Sequence, residues 1–286
     1  MSATDDLGER VAALEAAVTD LRELVQRAYE NPLGAAAEVL RARRDPSYAD
    51  AYSPEPLVTA RIGAYRGGEA LIERALASVR AQTYENWEAI VVCDGREPET
   101  VAAIAALGDP RVRCVERSRN GPYPEERERR WQVAGCNPFN QGVALAGGAW
   151  IAPLDQDDEW RPDHLEVLLT SARESGAEVI FGVSRVDLGE EGETFFGGWP
   201  PRLGDFGFQA AIYHAGLSAL LYDVNSHLVG EPADWNLARR MIEAGVAFEF
   251  VDRVVTTYFA SPADEAAWGF WIRRREEVGA YAEGQD

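Results

Sequence analysis

From residue 56 onward the chain alternates between short apolar runs and stretches whose apolar positions recur every three to four residues. Residues 57–62, 88–93 and 112–115 read as strands, because short runs rich in Val, Ile and Ala between turn signals suit buried β-structure. Residues 69–82 place Ile72, Ala75, Leu76 and Val79 on one helical face, and residues 100–107 make a shorter helix. Residues 132–146 include another helix, which leads into the apolar strand Ala149-Trp150-Ile151-Ala152-Pro153-Leu154. Pro162 suits the first turn of a helix reaching about residue 175, and residues 178–183 form a strand. A further helix begins at Glu231-Pro232 and ends at Gly245, before a late strand at 248–255. Alternating strands and helices with short connections predict an α/β fold, an open and largely parallel sheet flanked by helices. Two stretches break this rhythm. Residues 117–130 are polar and charged, residues 195–208 are rich in Gly, Pro and aromatics, and both read as loops over a ligand.

The first thirty residues follow another rule. Leu7, Val11, Leu14, Val18, Leu21 and Val25 alternate four and three apart. Valine at one core position and leucine at the other favours two parallel strands, with Arg10 and Glu15 placed for a cross-helix ion pair. About three heptads is short for an independent coiled coil, so packing of this helix on its own domain is the other reading. Residues 1–45 are therefore expected to be an N-terminal helix, a candidate coiled coil and a candidate homodimer contact. Asn31-Pro32 and Asp45-Pro46 break it, leaving 46–55 as a linker, 56–262 as the main domain and 263–286 as a helical tail. That tail carries Trp268 and Trp271 beside Arg273-Arg274-Arg275.

Composition narrows the chemistry. The net charge of −20 argues against a nucleic-acid surface, because phosphate backbones demand basic patches. Small phosphorylated ligands remain open to local arginines and a divalent cation. All 28 basic residues are arginine, which excludes Schiff-base, pyridoxal and Walker A chemistries that need lysine. Cys93, Cys114 and Cys136 are dispersed and odd in number, as expected of buried thiols in a reducing compartment. With no apolar run of transmembrane length and no charged-then-apolar leader, the expectation is a soluble, cytoplasmic protein, with peripheral membrane contact left open.

The strand at 149–154 ends in Asp155-Gln156-Asp157-Asp158-Glu159, four carboxylates in five residues. Clustered acids repel one another unless a solvated loop or a cation relieves them. A solvated turn is one reading; the other is a metal site at the carboxyl end of a strand, where open α/β sheets place ligands.

The order of motifs resembles the inverting family-2 glycosyltransferases, whose fold is GT-A, a Rossmann-like mixed sheet. The resemblance runs from Val58-Thr59-Ala60-Arg61-Ile62-Gly63-Ala64-Tyr65-Arg66 through Gln82-Thr83-Tyr84 and Ile90-Val91-Val92-Cys93-Asp94-Gly95. It continues at Asn140-Gln141-Gly142, the acidic loop with Trp160, and Ala233-Asp234-Trp235-Asn236-Leu237 with Arg240, covering about residues 56–260. The resemblance implies a nucleotide-sugar half at 56–160 and an acceptor half at 161–262. It implies Asp157 as the direct ligand of Mn2+ or Mg2+, with Asp155 and Gln156 facing the ribose or the ion's waters, and Asp158 as a ligand or a helix cap. Asp94 would hydrogen-bond the base, and Ala64, Tyr65 and Asn140 would line the donor site. Asp234, in the first turn of its helix, would be the base that takes the acceptor proton, kept ionised by the macrodipole. Arg240 would steady phosphate or acceptor, and His214 would join the metal or pyrophosphate, a satisfied structural histidine being its other reading. Trp199 and Trp235 would stack on sugars or pack as core.

Departures mark the chain. Gly63-Ala64 stands where Pro-Thr is common, Arg66 for Asn, Cys93 for the first Asp of the pair, Ala233 for an acid and Asn236 for the second Asp. The expected function is metal-dependent, inverting transfer from a nucleotide-diphosphate sugar, UDP- or dTDP-linked, to an acceptor hydroxyl on a glycan, small molecule or peptide. The rivals are a non-catalytic nucleotide-sugar-binding scaffold of the same fold and a sugar nucleotidyltransferase, which the absence of lysine disfavours.

Overall fold

The computed structural model describes residues 3–66, 68–118 and 121–260. The Leu7 side chain and the tail expectation at 263–286 lie outside the described residues. The sheet has nine strands among them: β1 (Val58–Ala64), β2 (Trp87–Cys93), β3 (Val112–Glu116), β4 (Trp150–Asp155), β5 (Glu159–Trp160), β6 (Val179–Asp187), β7 (Glu193–Phe196), β8 (Ala211–His214) and β9 (Phe248–Phe259). Their order is β3-β2-β1-β4-β8-β6-β9-β5, with β7 on β6. β3, β2, β1 and β4 run parallel, so all four aim their carboxyl ends at one edge. β8 then runs antiparallel to both β4 and β6, and the sheet is mixed.

The parallel half follows from the residues. β1, β2 and β4 are buried on both faces, which is why they read as continuous apolar runs. One face packs Ala60, Ile62 and Leu154 against Leu71, Leu76, Leu165 and Leu168. The helix that supplies Leu71 and Leu76 is π-helical in its middle, Leu71–Leu76, between Gly68–Ala70 and Ala77–Arg80. The other face packs Ile151 and Phe181 against Val143, Phe208, Leu237 and Met241. Val143 comes from the helix Cys136–Leu145, and Leu237 and Met241 from Ala233–Glu243. His164, at the start of the helix His164–Ser175, is fully buried and stacked on Trp160. Burial lowers its pKa to about 3, so the ring is neutral and structural.

The N-terminal segment differs from its sequence reading in one respect. Residues expected as a linker form the turn of 3-10 helix Pro46–Tyr52, docked on the domain. Tyr48 stacks on His214 at 3.6 Å and donates to Glu178 at 2.5 Å. Glu178 also takes a fork from Arg43, and these bonds outweigh burial to hold its pKa below the usual carboxylate range. The long helix Ala3–Glu30 is different again. Val11, Leu14, Val18, Leu21 and Val25 stay between 42 and 66 % exposed, so its stripe is not covered by the described residues of its own domain.

The end of that helix is anchored on the domain. Glu30 accepts from Arg239 at 2.7 Å and from Asn236 at 2.9 Å, and Asn236 also donates to Glu231 at 2.8 Å. Asn236 therefore stands between two carboxylates. An aspartate there would be a third acid with no proton to give, which accounts for the departure at this position.

Candidate active site

The carboxyl ends of β1, β2 and β4 open into one cleft of about 860 Å3. Ala64, Tyr65, Asp94, Asp155, Gln156, Asp157 and Asp234 all line it, so most of the sequence-derived candidates meet at one place. Register explains the meeting: Gly63 pairs with Asp155 and Ala64 with Cys93, which sets the β1 turn beside both the acidic loop and Asp94. Gln156 ties the two together, accepting from Tyr65 N at 2.8 Å and donating to Tyr65 O at 3.1 Å. One N–H and one oxygen lone pair of its amide thus hold the β1 turn, which is a positioning role.

Three of the four cleft acids, Asp155, Asp157 and Asp234, differ in environment. Asp157 is exposed at the rim, Asp155 is half-buried, and Asp234 closes the far side. Burial pushes Asp155 up to about 6; Arg61 pulls it down, and Asp157 and Asp234 push it further up. Asp234 is also raised, chiefly by burial, against the pull of the Trp235 N–H at 2.8 Å. The macrodipole expectation thus loses to desolvation, and a raised carboxylate is the stronger base. Asp158 turns away: it is fully buried, accepts from Phe259 N at 3.2 Å, and is pushed well above the carboxylate range by burial and by Asp157 and Asp155. It fastens the end of β9 and is not a cleft residue.

The donor set suits a hard divalent cation. Among the described residues no three acidic, His or Cys side chains converge as a ready metal cage. Mg2+ and Mn2+ sites of this kind take one or two carboxylates and complete the shell with phosphates and water, which Asp157 and Asp155 can support.

Several expected residues lie elsewhere. His214 is a correction: it pairs with Trp150 at the start of β4, the end of the strand opposite Asp155. Its Nε2 faces Tyr48 O and its Nδ1 accepts from Gly216 N, both at 2.9 Å, so it is a satisfied structural histidine and no metal ligand. Asn140 clamps the backbone of Tyr222, donating to its O at 2.8 Å and accepting from its N at 2.9 Å. Arg240 bonds Asn236 at 2.9 Å and the Leu221 carbonyl. Asn140 and Arg240 thus brace the 221–222 loop from behind the cleft. Trp235 lines the cleft, whereas Trp199 is an exposed loop residue.

Asp94 carries its own network. Its carboxylate accepts from Arg117 and from the Tyr123 hydroxyl, the latter at 2.6 Å. A base that hydrogen-bonds Asp94 would share the carboxylate with these partners or exchange with one of them. Cys93, in place of an acid, is fully buried with its sulfur 3.7 Å from that of Cys114, where a carboxylate would lie beside an uncharged thiol. Both are free thiols, Cys93 buried as expected and Cys114 only half-buried. Sequence reasoning missed Arg61, Arg117, Tyr123 and Tyr222 as site residues. The available signal was Arg61, a charge inside an otherwise apolar strand.

The glycosyl transferase family 2 model matches residues 61–124 and 127–230, more than half of the chain. The succinoglycan biosynthesis protein ExoO of Rhizobium meliloti (strain 1021) is 37 % identical over 125 residues, covering 43 % of this chain and 32 % of that protein. The putative colanic acid biosynthesis glycosyl transferase WcaA of Escherichia coli (strain K12) is 34 % identical over 103 residues, 35 % of this chain and 33 % of that protein. The match thus spans about a third of each relative's length. Among solved structures, S. aureus TarS 1-349 in complex with UDP-GlcNAc aligns with a TM-score of 0.55 at 14 % identity, over 72 % of this chain and 58 % of that one. The mannosyltransferase PcManGT from Pyrobaculum calidifontis, in complex with GDP-Man and Mn2+, aligns at 0.52 and 17 %, over 84 % and 68 %. The fold is the GT-A fold, and no helix among the described residues is long and apolar enough to cross a membrane. With its acids gathered at the carboxyl edge of the parallel strands, the chain belongs to glycosyl transferase family 2.

Proposed function

We propose that this chain transfers a sugar, with inversion, from a nucleotide-diphosphate sugar to an acceptor hydroxyl, using a divalent cation. One observation carries the reading: Asp155, Asp157 and Asp234 line the same cleft as Asp94 and the β1 turn. Asp157, with Asp155 behind it, would hold Mn2+ or Mg2+. When bound, such an ion offsets charge on the departing diphosphate. Ala64, Tyr65 and Asp94 would receive the nucleoside, with Arg117 and Tyr123 giving way at Asp94. Asp234 would accept the proton of the acceptor hydroxyl from the face opposite the leaving group, and its raised proton affinity suits that work. Supporting the donor class, TarS was solved with UDP-GlcNAc and PcManGT with GDP-Man and Mn2+. A uridine or thymidine diphosphate is the donor nucleotide we infer, and the acceptor half comprises residues 161–262.

The test is thermal unfolding with UDP-, dTDP- and GDP-sugars in the presence of manganese. A ligand at a hundred times its Kd should stabilise the fold by about 2.7 kcal/mol, a rise of several degrees in Tm. No shift with any nucleotide sugar would overturn the reading.

The partner we propose is a second copy of the chain, joined through a parallel coiled coil of the helix Ala3–Glu30. Its Val/Leu stripe is exposed and heptad-spaced. Deleting residues 1–25 should halve the mass measured by light scattering while leaving donor binding intact. An unchanged mass would refute the coil.

A further inference from the structure

The wall of the cleft holds a charge that the reaction above does not use. Arg61, in the middle of β1, is 1 % exposed, an uncommon place for a guanidinium. Its Nη2 donates to the Tyr222 hydroxyl at 2.9 Å, but Nε and Nη1 are buried with no hydrogen-bond partner among the described residues. Leaving donors of a buried cation unmade is costly, so such a group is retained where something else fulfils it.

The surroundings are shaped to hold it. A Cβ on Gly142 would come within 2.6 Å of Arg61 Cγ, so the helix passes close only because that residue is glycine. The guanidinium carbon sits 3.9 Å from the centre of the Phe139 ring, and Asn140 fixes the backbone of Tyr222 on the other side. Arg61 lines the same cleft as Asp155 and Asp234. It is deeper than the acids: it pairs with Pro153, two residues below the Gly63–Asp155 pair. On the nucleotide-sugar reading, a diphosphate held with Asp157 would lie at the rim, and the part of a donor reaching between Asp155 and Asp234 would be its sugar.

A planar fork of N–H donors matches a carboxylate better than it matches a hydroxyl. We propose that Arg61 reads a carboxylate on the transferred sugar, so that the donor is a nucleotide-activated uronic acid. This rests on the nucleotide-sugar reading above. The Tyr222 ring, carried on a loop and bonded to Arg61 through one hydroxyl, is the group that turns aside to admit the carboxylate.

Calorimetry with manganese and full-length protein tests this with UDP, UDP-glucose, UDP-glucuronate and UDP-galacturonate, and their dTDP counterparts. The wild type should bind a hexuronate donor at least about tenfold more tightly than the glucose donor, the scale of one charge-assisted bond. Arg61→Met should erase that preference while keeping the affinity for the nucleoside diphosphate, which also shows that the variant is folded. Should Arg61→Met not fold, Tyr222→Phe frees Nη2 without opening a cavity. It should tighten the hexuronate donor alone, and no change would overturn the proposal. Equal affinities in the wild type would also overturn it. So would a loss of nucleoside diphosphate affinity in Arg61→Met, which would assign Arg61 to the diphosphate. Arg61-dependent binding of methyl glucuronoside beside the nucleoside diphosphate would move the carboxylate to the acceptor and overturn it likewise. If no nucleotide ligand binds either protein, the nucleotide-sugar reading fails and this proposal with it.

Discussion

An Asp234→Asn variant is expected to bind donor within about twofold of the wild type yet transfer sugar about 100- to 10,000-fold more slowly, the range for removal of a general base. The amide preserves the shape of the side chain and its bond from the Trp235 N–H, but it cannot take a proton. Burial raises the Asp234 pKa, so the wild-type rate should fall on the acid side at a pH above the ordinary carboxylate range. The sign is fixed by the role: protonation removes the base, and activity declines as pH falls. Single-turnover rates with saturating donor would check this. Wild-type turnover in Asp234→Asn would remove it as the base and favour a binding scaffold.

Chelation of divalent ions is expected to abolish transfer, with recovery on adding manganese or magnesium. Charge stabilisation of several kcal/mol is at stake, and about 2.7 kcal/mol already amounts to a hundredfold in rate. Asp157→Asn should reproduce most of the loss at ordinary metal concentrations and be partly rescued by excess manganese. Asp157 stands exposed at the rim, so its replacement should leave Tm nearly unchanged and separate lost function from lost fold. Full activity in the presence of a chelator would count against the metal and against Asp157 together.

The parallel half was legible because β1, β2 and β4 are apolar on both faces and its turns carry Gly and Asp at fixed points. Asp155 and Asp157 stood out for the same reason, acids placed directly after an apolar run. β8 was not legible: four residues, all buried, show no alternation and no length to distinguish them from loop. His214 was misplaced because a sequence does not say which end of such a strand faces the cleft. A motif also assigns residue types and not hydrogen-bond partners. Asn140 and Gln156 match the pattern and bond backbone, while Arg61, to which the motif gives no role, reaches the cleft wall.

The join between the two halves of the sheet has a consequence of its own. β4 meets β8 through two residue pairs, Trp150 with His214 and Ile151 with Tyr213, and the acidic end of β4 continues past them. Beside that end the chain at Phe208–Ala210 makes the contact instead, with Gln209 O accepting from the Trp160 indole at 3.1 Å. Those two pairs set the register of β8 on β4, and among the described residues β4 beyond Ile151 has no strand partner on that side. A change at Phe208–Ala210 that leaves those two pairs intact should therefore reshape the cleft wall beside Asp155 without re-registering the strand that carries it.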